Sequence, residues 1–139
     1  MNLVPDPKTT SGGNPLSPEA NAAAAFAAAT ATATGVLTVD LDALVANWRK
    51  LEQTAVPAEC AGVVKADAYG CGTEPVVRAL AAAGCKTFFV ATLDEARAAR
   101  AATSTADIYV LDGFFQSCGD AFAETNCRPV IGDLNELAE

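Results

Sequence analysis

From Gly35 onward the chain alternates short apolar runs with amphipathic stretches, and that alternation limits the folds open to it. The runs "CAGVVKA", "KTFFVA", "DIYVLDG" and "RPVIGD" have centres roughly 20–25 residues apart, the spacing of βαβ units. They are apolar on nearly consecutive positions, which predicts strands buried on both faces in a parallel sheet under helices. Between them, "VDLDALVANWRKLEQ" sets Leu41, Leu44, Val45, Trp48 and Leu51 at helical spacing behind Asp40 as N-cap. "GTEPVVRALAAAG" predicts a helix with Thr73 as cap, Pro75 in the first turn and Gly84 as stop. "TLDEARAARAA" opens with Thr92 and Glu95 at capping-box spacing, "SCGDAFAETN" predicts a short helix, and Asp133 and Glu136 repeat the capping spacing.

Two architectures fit four such units, a doubly wound sheet and a stretch of (β/α)8 barrel. A dinucleotide-binding doubly wound fold calls for G-x-G-x-x-G after the first strand, and the chain lacks it there. The expected fold is therefore α/β, a partial TIM (β/α)8 barrel of roughly the first four β/α units. Closed barrels of this type take about 250 residues and this chain has 139, so it is expected to be an incomplete piece of one.

The first 34 residues have a different texture. "MNLVPDPKTTSGGNPLSPE" is rich in turn formers, and "ANAAAAFAAATATAT" offers a lone Phe26 for burial. Residues 1–34 are expected to be a low-complexity tail, disordered or transiently helical, and residues 35–139 the barrel portion. Asp6, Lys8 and Glu19 stand where a secretory leader would carry a positive cluster, which disfavours a signal peptide.

Composition removes several function classes. A formal charge of −8 leaves no basic surplus for a phosphate backbone, so no nucleic-acid partner is expected. No apolar run reaches the length that spans a bilayer, so no membrane association is expected. With no histidine, Ser-His-Asp and Cys-His pairs and histidine-containing zinc sites are absent, and no metal is expected. The five cysteines, Cys60, Cys71, Cys85, Cys118 and Cys127, contain no C-x-x-C pair, which reads as reduced thiols in a cytoplasmic protein.

The residue that points to chemistry is Lys65, in "VVKADAYGCG". Strand alternation sets Val63 and Lys65 on one face and Val64 on the other. Barrels of this type hold their chemistry at the carboxyl ends of the strands. A lysine desolvated there becomes a neutral amine able to attack a carbonyl and form a Schiff base. The competing reading is a lysine that snorkels to the surface and pairs with an acid. Tyr69 has a similar alternative as a half-buried ring with its hydroxyl in water, and Gly70 and Gly72 as plain turn residues.

Taken together, these residues carry a resemblance. "VVKADAYGCG" resembles the pyridoxal-phosphate lysine motif of the alanine racemases, whose N-terminal domain is a (β/α)8 barrel. "VDLDALVANWRKL" is similar to the family's opening helix, with Asp40, Asp42 and Asn47 in register, and "FFVATLDEARAAR" and "IYVLDG" to its second and third strands with the helix between. The resemblance runs from about Gly35 to the C-terminus. It implies a pyridoxal 5'-phosphate enzyme interconverting L- and D-alanine, the D-alanine supplying peptidoglycan. It implies that Lys65 is the Schiff-base lysine and proton acceptor on the D-substrate face, and that Tyr69 donates to the cofactor phosphate. It implies that Val63 and Leu111 lie beside the cofactor. Cys71 departs from the family, whose members often carry histidine there. The family is homodimeric; its opposing base is a tyrosine of a C-terminal β-domain from the other subunit, and an arginine from a late barrel strand faces the pyridine nitrogen. On that comparison both lie beyond Glu139, and the chain by itself is expected to be inactive. Other readings are a pyridoxal-phosphate barrel of the decarboxylase or cofactor-homeostasis type, a non-catalytic remnant, and a small dinucleotide-binding module.

Overall fold

The computed structural model of the chain describes residues 17–115 and 117–138. The expectation for residues 1–16 lies outside the described residues. The chain divides into two units between Thr38 and Val39. In the first, helix α1 (Pro18–Thr30) begins where the Ser17 hydroxyl accepts the Ala20 N–H at 3.2 Å. Near its end the Thr30 hydroxyl donates to the Phe26 carbonyl at 2.9 Å. Phe26 is exposed, so alanine propensity and local caps sustain this helix.

The second unit runs α2 (Leu41–Ala55), β1 (Gly62–Val63), a turn α3 (Lys65–Tyr69), α4 (Thr73–Ala83), β2 (Thr87–Val90) and α5 (Leu93–Ala102). It continues with β3 (Asp107–Val110), α6 (Gly119–Thr125), β4 (Arg128–Pro129) and α7 (Leu134–Ala138). The four strands form one parallel sheet in the order β1-β2-β3-β4. Sequential order with helical crossovers is what the repeated strand–helix pattern demands when each strand joins the side of the one before it. The described strands show no reversal of order, the feature that marks a doubly wound sheet.

The helices cover one face of this sheet. Val64, Phe88, Val90, Ile108 and Val110 are each 1% exposed or less, and they share a core with Val76, Val77 and Leu80 of α4, Ala96 and Ala99 of α5, and Phe122 of α6. The small side chains of α5 let that helix lie close to the sheet. Gly62 serves the same end on β1. A Cβ there would meet the Phe88 ring at 3.0 Å and Leu80 at 3.3 Å, tighter than packed cores accept without movement. Trp48 anchors α2, donating its indole N–H to the Cys60 carbonyl at 3.0 Å. Arg100, in the last turn of α5, donates to the carbonyls of Thr103, Thr125 and Asn126 and so ties the ends of α5 and α6 together.

The opposite face carries the row Val63, Phe89, Tyr109 and Arg128, aligned by the strand register. Phe89 and Tyr109 stack with ring centroids 5.1 Å apart, and Arg128 lies over the tyrosine ring while pairing with Asp107. Among the described residues of this unit no element covers this row, so burial of both strand faces, expected from the apolar runs, holds on one side only. The runs also overstate strand length. β1 stops after two residues because the chain turns at Val64, and β4 is only two residues long.

The caps at Asp40, whose carboxylate accepts the Ala43 N–H at 2.9 Å, and at Thr92, with its full capping box, are as the sequence predicts. Gly84 ends α4 with φ 113°. Thr73 is not the cap of α4. That position belongs to Gly72, at φ 91°, and Thr73 is the first helical residue, buried, with its N–H given to the Asp67 carboxylate at 2.7 Å. Leu51, on the apolar stripe of α2, is 61% exposed. It borders an apolar groove along the free edge of β1, with Leu44, Val63 and Tyr69.

Candidate functional site

The last sheet bond of β1 is the Val64 N–H on the Phe89 carbonyl at 2.8 Å. The chain then leaves the strand, and Lys65 opens a turn of unusual hand. Ala66, Asp67, Ala68 and Tyr69 all have φ between 51° and 56°, so α3 is a single left-handed turn rather than an ordinary helix. For residues with a Cβ this conformation costs about 1–2 kcal/mol each, and four in succession require strong local compensation.

Three sets of contacts supply it. Backbone bonds close the turn, from Ala68 N–H to the Val64 carbonyl, Gly70 N–H to the Ala66 carbonyl and Gly72 N–H to the Asp67 carbonyl, at 2.9–3.0 Å. The Asp67 carboxylate holds the exit through Thr73. Glu95 holds the entry: one of its oxygens accepts the Ala66 N–H at 2.8 Å and the other the Ala91 N–H at 2.7 Å. Gly70 and Gly72, both at positive φ, carry the chain onward into α4. Ala66 is exposed at φ 51°. Ala66→Gly removes its Cβ from a conformation that resists it and is expected to stabilise the chain by about 0.5–1 kcal/mol, read as a raised midpoint in urea.

The turn places Lys65 and Tyr69 at its two ends, beside the carboxyl terminus of β1. Lys65 is partly buried and Tyr69 is 65% exposed. Val63 lies on the uncovered face, 47% exposed. Leu111 follows β3, its N–H on the Val90 carbonyl at 2.9 Å and its side chain 41% exposed. It stands two strands away from Lys65, about 10 Å at ordinary strand spacing. Lys65, Tyr69 and Val63 are thus neighbours on one strand and turn, and Leu111 joins them at the same end of the sheet. An amine, a phenol and two apolar side chains around an open strand end can receive a flat, anionic ligand bearing a carbonyl.

The thiols play a lesser part. Burial pushes the Cys85 and Cys127 thiols up from their ordinary value and keeps them protonated. Cys71 is partly buried behind the turn. Among the described residues no cluster of His, Cys, Asp or Glu is arranged to hold a metal, and no helix is long and apolar enough to cross a membrane. The sequence reading passed over two residues, Asp67 and Glu95, as parts of this site. The capping spacing of Thr92 and Glu95 was visible, but nothing local to Glu95 marks the Ala66 amide as its partner.

Comparison with known proteins identifies the family. The family described as alanine racemase, N-terminal domain, matches residues 39–139. The alanine racemase of Methylobacterium nodulans is 55% identical over 103 residues, covering 74% of this chain and 28% of the relative. The crystal structure of alanine racemase from Bartonella henselae, with covalently bound pyridoxal phosphate, superposes with a TM-score of 0.68 at 38% identity over 72% of this chain and 29% of that one. The biosynthetic alanine racemase of Pseudomonas aeruginosa gives 0.61 at 35% identity, over 70% and 27%. The chain therefore spans less than a third of the length of these relatives. By its match over residues 39–139, the chain belongs to the alanine racemase N-terminal domain family.

Proposed function

We propose that this chain is the N-terminal, cofactor-carrying portion of a pyridoxal-phosphate-dependent alanine racemase, with Lys65 as the residue that bonds the cofactor. The observation that carries the reading is the placement of Lys65 and Tyr69 on one braced turn at the carboxyl end of β1. A relative 38% identical to the chain has pyridoxal phosphate bound covalently. The relatives carry the racemase name, which favours this activity over a decarboxylase, a cofactor-homeostasis protein or a dinucleotide-binding module.

The finer fold reading is the first half of a (β/α)8 barrel. It is supported by the sequential strand order and by the aromatic row of Phe89 and Tyr109 on the uncovered face. The apolar groove along the edge of β1 supports it as well. Such a face and edge gain burial when further strands close the barrel around them.

The residues present suit the cofactor. Lys65 offers the primary amine that condenses with an aldehyde, and Tyr69 a neutral hydroxyl that donates to a phosphate dianion without a charge of its own. Val63 and Leu111 would lend apolar surface beside the cofactor and limit water there. When bound, pyridoxal phosphate supplies the electron sink that lets the Cα proton of alanine leave. Lys65 would accept that proton at Nζ on the face of the D-enantiomer and return it there in the reverse direction. Racemisation needs a second base on the opposite face. Of the two bases, residues 1–139 would contribute Lys65, and a tyrosine of the partner subunit's β-domain would be the other.

The test is titration of the full chain with pyridoxal phosphate, followed by visible circular dichroism. A signal saturating at one cofactor per chain is the expected result, because a single asymmetric site imposes one handedness on the chromophore. Absorbance that grows with excess cofactor and carries no dichroism contradicts the reading.

A further inference from the structure

We propose that Glu95 is a positioning residue for Lys65, holding the backbone on which the lysine stands to the end of the neighbouring strand. In a capping box the carboxylate at the third helical position serves the N-cap N–H. Here that bond, to Thr92, is the longest of three, at 3.4 Å. The shorter two go to Ala91, at the end of β2, and to Ala66, 29 residues back in the chain, at 2.7 and 2.8 Å. Ala66 follows Lys65 directly and is the first left-handed residue of the turn. Its backbone angles set the direction in which the chain departs from the lysine. A carboxylate that fixes the Ala66 N–H therefore fixes where the Lys65 side chain begins.

The arrangement occurs twice. Ala91-Thr92-Leu93-Asp94-Glu95 is echoed two β/α units later by Gly132-Asp133-Leu134-Asn135-Glu136. The Glu136 carboxylate accepts the Gly132 N–H at 2.8 Å and reaches the Phe114 N–H, beyond β3, at 3.5 Å. One glutamate thus joins the carboxyl ends of β1 and β2, and an equivalent one those of β3 and β4. Only the first touches the residue beside Lys65, so the second is a control within the same molecule.

The inference rests on the role proposed for Lys65 in the preceding section. Glu95→Gln keeps the side-chain shape but leaves one acceptor oxygen; placed at the position that serves both the Ala91 and Thr92 N–H groups, it turns the NH2 group toward the Ala66 N–H, and that bond is lost. Glu136→Gln does the same at the distant pair. Amide hydrogen exchange on the full chain is expected to show Ala66 protected, with exchange at least tenfold faster in Glu95→Gln and within twofold of the wild type in Glu136→Gln. Borohydride reduction after pyridoxal phosphate treatment is expected to show the Lys65 share of the adduct falling several-fold in Glu95→Gln alone. Equal falls in the two variants overturn the proposal, since the effect is then general destabilisation. If Glu95→Gln does not fold, the wild-type chain decides. A scalar coupling across the hydrogen bond, between the Ala66 amide nitrogen and the Glu95 carboxyl carbon, should be present in the isotope-labelled chain, and its absence overturns the proposal. An unprotected Ala66 with Lys65 still preferentially modified removes the clamp and leaves the cofactor role. A protected Ala66 with no preference for Lys65 removes the cofactor role, and the positioning role with it.

Discussion

Lys65→Ala abolishes the site-specific uptake of pyridoxal phosphate while leaving background modification in place; that is the expected result with the largest functional effect. The chain has three other lysines, Lys8, Lys50 and Lys86. Lys50 lies on the exposed side of α2 and Lys86 precedes β2 at the amino end of the sheet. Neither has a phenol on a shared turn or the open carboxyl end of a strand beside it. Surface imines formed there are weak and unordered, so visible dichroism should vanish entirely in Lys65→Ala although some absorbance persists. Lys65→Arg gives a sharper comparison. It keeps the positive charge but replaces the amine with a guanidinium that stays protonated and does not condense. Loss of dichroism in both variants assigns the effect to amine chemistry, whereas retention in Lys65→Arg points to electrostatic attraction of the phosphate.

The largest structural effect belongs to Phe88→Ala. Phe88 is fully buried between Gly62 and Leu80, at the meeting of β1, β2 and α4. Truncating such a ring costs about 3–5 kcal/mol, against a total stability of about 5–15 kcal/mol for an ordinary domain. The variant should lose most of its cooperative unfolding transition in urea. The neighbouring Phe89→Ala makes the comparison decisive. Phe89 points to the uncovered face, partly exposed, and its main partner is the stacked Tyr109 ring. Its loss is expected to cost about 0.5–1.5 kcal/mol. Equal costs at the two positions would contradict a core confined to the helix-covered face.

What the sequence disclosed, and what it withheld, follows from the range of the forces involved. The four strands, the capped helices at Asp40 and Thr92 and the stop at Gly84 were legible because each is set by side chains within a few residues. The left-handed turn was not. Alanine, aspartate and tyrosine have no preference that announces four consecutive positive φ values, and the groups that enforce them, Asp67 and Glu95, act through backbone partners 6 and 29 residues away. Thr73 was misplaced as a cap for the same reason, since Asp67 had already taken that task. The open row at Val63, Phe89 and Tyr109 was hidden because an apolar run reads alike whether its second face is covered by helices or left for other strands.

Lys65 and Tyr69 were legible as candidates through their motif. Val63 followed from alternation, and it stands on the uncovered face in agreement with that argument. Leu111 rested on resemblance alone, and the register brings it to the same end of the sheet.

The most direct measurement is peptide mapping of the intact chain after incubation with substoichiometric pyridoxal phosphate and reduction with borohydride. The account predicts the phosphopyridoxyl group on the peptide containing Lys65, in clear excess over the peptides of Lys8, Lys50 and Lys86. An even distribution over the four lysines would contradict it.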